Sequence, residues 1–81
     1  MDILNSLKHE YKEILKRYDF LLQLEVNGKG DKWIIEYVKD EKRINFAKED
    51  VIDNILKSLN IDPIDFHTDC RKELRDENEA H

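Results

Sequence analysis

Residues 33–38 are Trp33-Ile34-Ile35-Glu36-Tyr37-Val38, and five of these six side chains are apolar or aromatic. A polar segment stands on either side, residues 27–31 with two glycines and residues 39–42 with four charged side chains. A short apolar run between turn signals is typical of a buried strand. The pattern therefore predicts a β-strand at residues 33–38.

Two further strands are predicted around this run. Before it, side chains alternate between two sides from about Phe20 to Val26, with the two-residue period of a strand. After it, residues 43–46 follow the charged segment as a short third strand. Gly28 and Gly30 suit the tight turn of a β-hairpin, because glycine adopts a positive φ at little cost. The prediction is a three-stranded antiparallel β-meander.

Helices are predicted on both sides of the meander. Apolar residues recur every three or four positions from Ile3 to about Leu22, and again from Lys48 to Leu59. The pair Asp62-Pro63 places a capping carboxylate before a proline, which favours a third helix from Pro63 to about Arg75. The predicted fold class is therefore α+β, in the order αβββαα. Residues 1–75 form one small domain, and residues 76–81 form a frayed acidic tail.

The middle strand of this meander is apolar on both of its sides. Trp33, Ile35 and Tyr37 lie on one side, while Ile34 and Val38 lie on the other. Such a strand indicates that both faces of the sheet are covered. Three covers are open: the third helix, a second copy of the chain, or a different protein. Trp33 and Tyr37 are accordingly candidate partner-binding residues.

The acidity of the chain is concentrated at its end. The formal net charge is -5, and residues 62–81 contain seven acids and three bases. Five carboxylates follow helical steps of three or four along the third helix, and we predict that this acidic edge binds a basic surface on another protein. Its members are Asp62, Asp65, Asp69, Glu73 and Asp76. A solvated helix face is the alternative interpretation.

Few residues favour chemistry. His67 and Cys70 are one helical turn apart, but two ligands do not complete a structural metal site, and the other histidines are His9 and His81. Gly28 and Gly30 precede a predicted strand, whereas a phosphate cradle needs a helix N-terminus. We therefore expect no catalytic residues, no metal and no cofactor, and we expect that the protein is not an enzyme.

The composition fits a small cytoplasmic protein. The chain has 81 residues, 40% of them hydrophobic and 41% charged, which excludes a disordered or low-complexity class. A single cysteine precludes an intramolecular disulfide and fits a reducing compartment. We find no signal-peptide pattern and no membrane-spanning stretch.

These observations favour a non-enzymatic interaction module. A stand-alone inhibitor or regulator of the phage or mobile-element type, which blocks a basic or nucleic-acid-binding surface of a larger protein, is the more specific hypothesis. The alternative is a small dimeric regulator that binds nucleic acid through Lys8, Lys12, Lys16 and Arg17. The negative net charge opposes that alternative, because binding to phosphates is driven by lysine and arginine.

Overall fold

Residues 2–79 are described by a computed structural model, and they form three α-helices. Helix α1 spans Ile3–Asn27, α2 spans Lys32–Ser58 and α3 spans Pro63–Glu79. No strand occurs within residues 2–79. The predicted α+β fold with a β-meander is therefore wrong, and the chain is all-α in this range.

Helix α1 continues through the first predicted strand. Leu7, Ile14 and Leu21 are seven residues apart and all are buried, so one face of the helix stays in the core for two heptads. Leu21 and Leu22 satisfy both a helical and a two-residue period. The segment forms a helix, because the helical period places Leu21 in the same buried row as Leu7 and Ile14.

The glycine-containing segment joins two helices rather than two strands. The Gly28 N–H donates to the Leu24 carbonyl at 2.8 Å and closes α1. The Asp31 carboxylate then caps α2 by accepting hydrogen bonds from the backbone N–H groups of Trp33 and Ile34. Of the two glycines, Gly30 has a positive φ, of 95°. The result is an αα-hairpin of α1 and α2.

Helix α2 contains the second and third predicted strands, the charged segment between them and the second predicted helix. Val38, Asn45 and Ile52 form a buried row seven residues apart. Asn45 donates from Nδ2 to the Ile14 carbonyl at 3.0 Å, so a polar side chain occupies a core position. This polar residue interrupts the apolar pattern and hides the helical period in the sequence.

The charged segment at residues 39–42 lies in the middle of α2 instead of forming a turn. Glu41 pairs with Arg17 at 3.2 Å, and Lys42 pairs with Glu25 at 2.8 Å. Both partners are on α1, so these charges join the two helices of the hairpin.

Helix α3 begins where the sequence predicts. The Asp62 carboxylate accepts from the Ile64 N–H at 2.9 Å, and Pro63 occupies the first helical position. The helix extends to Glu79, so residues 76–79 of the predicted tail are helical. Ala80 and His81 lie outside the described residues.

Helix α3 covers one end of the hairpin. Phe66 and Cys70 are buried against Leu7, Tyr11 and Leu56 in the core. With a rise of 1.5 Å per residue, 17 residues span about 26 Å, whereas the 27 residues of α2 span about 40 Å. Much of the hairpin therefore has no third helix against it. Within residues 2–79, no helix is long and apolar enough to cross a membrane.

Residues 33–38 are helical, so the prediction of a strand with two apolar sides that need covering is wrong. Val38 is buried and Ile34 is half-buried, whereas Trp33 and Ile35 are exposed. Successive side chains of a helix point about 100° apart, whereas those of a strand alternate between two faces. Any case for a partner must rest on the surface that the three helices leave exposed.

Candidate protein-binding surface

One edge of α2 carries a row of apolar and aromatic residues directed away from α3. Trp33, Tyr37, Ile44 and Val51 follow steps of four, seven and seven, which keeps them on one side of the helix. Asp53, which contacts α3, is two residues and about 200° beyond Val51. The row therefore lies on the side of the hairpin opposite α3.

Three members of this row are strongly exposed, and Tyr37 is half-buried. Trp33 is 72% exposed, Val51 57% and Ile44 51%, and Phe20 joins them from α1 at 47%. We call this surface the back face of the hairpin and define it as Phe20, Trp33, Tyr37, Ile44 and Val51. Monomeric proteins rarely expose so many large apolar side chains along one side.

The aromatic end of the back face is held in place by stacking and hydrogen bonding. The rings of Trp33 and Tyr37 are stacked, with centroids 5.7 Å apart and an interplanar angle of 11°. Arg17 donates to the Tyr37 hydroxyl at 2.9 Å, and its guanidinium lies 5.0 Å from the centroid of the Phe20 ring. The hydrogen bond to Tyr37, followed by that to Glu41, raises the pKa of Arg17. These contacts preorganise the exposed rings.

Charges of both signs flank the apolar row. A shallow groove between α1 and α2 runs beside Ile44 and is lined by acidic and basic side chains. These charged residues are Glu10, Glu13, Arg17, Glu41 and Lys48. The surface is thus an apolar row, interrupted by the exposed Asp40 between Tyr37 and Ile44, with a mixed-charge border.

A second apolar patch lies on the opposite side of the hairpin, which is the side of α3. Leu22, Val26 and Ile35 line a shallow groove there with Glu25 and Lys29. Leu22 is 14 residues after Lys8, which pairs with α3, so both lie on the same side of α1. We call Leu22, Val26 and Ile35 the front patch.

The predicted acidic edge is present on α3, but two of its five carboxylates have partners within the chain. Asp62 caps the helix. Glu73 pairs with Lys8 at 2.9 Å and with Lys12 at 3.4 Å, and the hydrogen bond from Lys8 is the main cause that lowers the pKa of Glu73. Asp65, Asp69 and Asp76 are exposed, and none of them forms an ion pair within residues 2–79. Three residues of the edge therefore remain open to a partner.

The basic run on α1 is paired throughout. Lys8 and Lys12 contact Glu73, and Lys12 also pairs with Glu77 at 2.9 Å. Lys16 lies 3.4 Å from Glu13, and Arg17 lies 3.2 Å from Glu41. A nearby carboxylate offsets each of these charges, which weakens their attraction for phosphate.

His67 and Cys70 do not form a shared site. Cys70 is fully buried, and burial raises the pKa of its thiol to about 11. His67 is directed to α2, where its Nε2 lies 2.7 Å from Asp53 Oδ1. A buried neutral thiol is a poor nucleophile and a poor metal ligand.

The sequence pointed to Trp33 and Tyr37, and the structure places them together on the back face. Phe20, Ile44 and Val51 were missed. Their signal is the helical spacing of 33, 37, 44 and 51, which has meaning once the whole stretch is known to be one helix. Comparison with protein-family models, curated proteins and solved structures finds no match for this chain.

Proposed function

We propose that this chain is a non-enzymatic protein-interaction module that works as a homodimer paired through its back face. The observation that carries the proposal is the exposed apolar row from Trp33 to Val51 on the side of the hairpin that α3 does not cover. Burial of such side chains is the main favourable term in protein association.

The amount of exposed surface is consistent with an interface of ordinary size. The chain has 6197 Å² of accessible surface, whereas a compact monomer of 9.8 kDa has about 5,200 Å². The excess of about 1,000 Å² is close to the roughly 800 Å² that each partner buries in a standard interface. One copy thus exposes about as much additional surface as one dimer contact covers.

The composition of the back face supports strong contacts. Trp, Tyr and Arg are the residue types that dominate the energy of protein interfaces. Here Trp33, Tyr37 and Arg17 are adjacent, and they are already ordered by stacking and hydrogen bonding. Little side-chain entropy remains to be lost on binding, which favours affinity.

The charges that border the back face favour a second copy of the chain as its binding partner. A two-fold dimer needs a surface that complements itself. The border of the back face carries Arg17 and Lys48 together with Glu10, Glu13 and Glu41, so each sign can meet its opposite in the other copy. Two hairpins packed back to back form a four-helix arrangement, with each α3 on the outside.

The dimer leaves the acidic edge available to a further partner. Asp65, Asp69 and Asp76 lie on α3, away from the back face. We therefore keep a protein with a basic surface as the proposed target, and a cytoplasmic regulator or inhibitor as the proposed role. The high acidity of residues 62–79 supports this choice, because long-range attraction steers oppositely charged partners together.

The dimer is tested by sedimentation equilibrium of the full chain, at concentrations up to about 1 mM. Ile44 and Ile35 are matched residues on α2, at 51% and 50% exposure, on the back face and the front patch respectively. We expect the native chain to dimerise and Ile44→Glu to weaken the dimer at least about tenfold, since a charge then enters an apolar contact. Ile35→Glu is expected to leave the dimer unchanged.

Two results would overturn this assignment. A native chain that stays monomeric over the whole range excludes a second copy as the occupant. A dimer that Ile35→Glu dissociates and Ile44→Glu does not would move the contact to the front patch. Far-UV circular dichroism of both variants controls for loss of helix.

The acidic edge is tested by reversing its charge. We expect Asp65→Lys/Asp69→Lys/Asp76→Lys to keep its fold, because exposed substitutions usually change stability by less than about 0.5 kcal/mol each. Binding to a partner isolated from the source cell, measured with both purified proteins, should be lost. A matched reversal of the exposed acids Asp19, Glu36 and Asp50 on α1 and α2 should retain it. Equal binding by both triple variants would contradict the role of the acidic edge.

A further inference from the structure

Three metal-ligating side chains converge between α2 and α3, away from the back face. Glu49 and Asp53 are one turn apart on α2, and His67 reaches them from α3. One ligand atom from each residue lies within 4.8 Å of the other two. We propose that these three residues bind a divalent transition-metal ion, for which Zn²⁺ is the probe.

The donor set fits such an ion. One imidazole nitrogen and two carboxylate oxygens are ligands that Zn²⁺ accepts at about 2.0–2.2 Å. In a tetrahedral site, two such ligands are about 3.3 Å apart. His67 Nε2 and Asp53 Oδ1 are 2.7 Å apart, so the two atoms must separate by about 0.6 Å to bind one ion.

The charge of the cluster also favours a cation. Within residues 2–79, no lysine or arginine forms an ion pair with Glu49 or Asp53, and His67 is the sole basic contact. Asp53 is 25% exposed and Glu49 is half-buried, so water screens the two carboxylates incompletely. A divalent ion balances both negative charges at once.

Neighbouring tyrosines hold two of the three ligands. The Tyr18 hydroxyl donates to Glu49 at 3.3 Å. The ring of Tyr11 stacks on that of His67, with a centroid distance of 4.5 Å and an interplanar angle of 2°. Outer contacts of this kind fix ligand orientation in metal sites. The cluster is therefore ordered by residues that are not themselves ligands.

The expected consequence is a link between α2 and α3. Three protein ligands leave one position of a tetrahedral ion for water. Because the ligands come from two helices, the ion should stabilise the packing of α3 on the hairpin. This inference does not depend on the proposed dimer, since none of the ligands belongs to the back face.

The test is calorimetric titration of the full chain with ZnCl₂, together with thermal unfolding. We expect one Zn²⁺ per chain and a higher unfolding temperature with the ion. Glu49→Gln should lower the affinity at least about tenfold, because the amide carries no charge but can still accept from Tyr18. Substitution of Co²⁺ should give a visible absorption band of tetrahedral type that is lost in His67→Gln.

A control separates this site from the other two histidines of the sequence. The double variant His9→Gln/His81→Gln keeps the cluster and should bind Zn²⁺ as the native chain does. No stoichiometric binding by the native chain would overturn the proposal. So would Zn²⁺ affinity that is unchanged in Glu49→Gln and lost in the His9/His81 variant, since the ion would then bind elsewhere.

Discussion

Asn45 is a single polar residue that obscures the helical pattern of apolar residues in α2. It lies in the buried row of Val38 and Ile52, where an apolar side chain would have revealed the helical period of α2. Its Nδ2 group donates to the Ile14 carbonyl, so the buried amide is satisfied and joins α2 to α1. Polar residues at core positions often fix the register of paired helices.

Removal of this amide should destabilise the hairpin. We expect Asn45→Ala to lower the free energy of unfolding by about 1–3 kcal/mol, because it deletes a buried hydrogen bond and leaves a cavity. Urea titration measures the change. The exposed Asn54 on the same helix is the control, and Asn54→Ala should cost less than about 0.5 kcal/mol. Equal effects of the two substitutions would contradict the role of Asn45.

Cys70 makes stability depend on pH in the alkaline range. Burial raises the pKa of its thiol from 9.0 to about 11. The unfolded chain therefore loses this proton at a lower pH than the folded chain, so the thiol favours folding below about pH 9 and this contribution is lost as the pH rises towards 11. Burial likewise raises the pKa of Tyr11 and Tyr18 to about 12, which extends the loss to higher pH.

The measurement is the urea midpoint of the native chain and of Cys70→Ala at several pH values. We expect the native midpoint to fall more steeply between about pH 9 and 11 than that of the variant, which lacks the thiol. Parallel falls in the two proteins would show that the thiol does not contribute.

At the scale of the element, the starts of α1 and α3 could be predicted, whereas the start of α2 could not, because strands were predicted in its place. Asp62 and Pro63 are local signals that act on the adjacent backbone, and the structure confirms the start of α3. The first helix was predicted correctly but ended too early. Its continuation depends on Leu21, which is fully buried and so reflects packing that no local pattern contains.

The misassigned strands in α2 have the same cause. A run of five apolar residues in six positions fits a strand or a helix, and periodicity over so short a stretch does not separate them. A longer stretch does, since Val38, Asn45 and Ile52 keep a spacing of seven residues through the middle of α2. The polarity of residues 39–42 predicts a turn, but the glutamate and the lysines of this segment are good helix formers.

The sequence predicted two residues of the candidate surface, but for a reason that the structure contradicts. Trp33 and Tyr37 were chosen because a strand with two apolar sides needs two covers. Trp33 is exposed and Tyr37 half-buried instead because α3 is too short to cover the hairpin and lies on its other side. The number of apolar residues indicates an exposed apolar surface whether the chain forms strands or helices, since a chain of this size cannot bury them all.

At the scale of the whole molecule, one elongated hairpin carries three separate features. The chain measures 43 × 32 × 22 Å along its principal axes. The back face lies on one side, and α3 with its acidic edge and the Glu49–Asp53–His67 cluster lies on the other. This separation allows self-association, partner binding and metal binding to be tested independently, because their residues do not overlap.

The most direct test of the central claim is the fluorescence of Trp33, the single tryptophan of the chain, as a function of protein concentration. If the back face is covered by a second copy, the emission maximum moves to shorter wavelength as the dimer forms, and Ile44→Glu retains the emission of an exposed indole at the same concentrations. Emission characteristic of water exposure in a native chain whose mass has doubled would contradict this account.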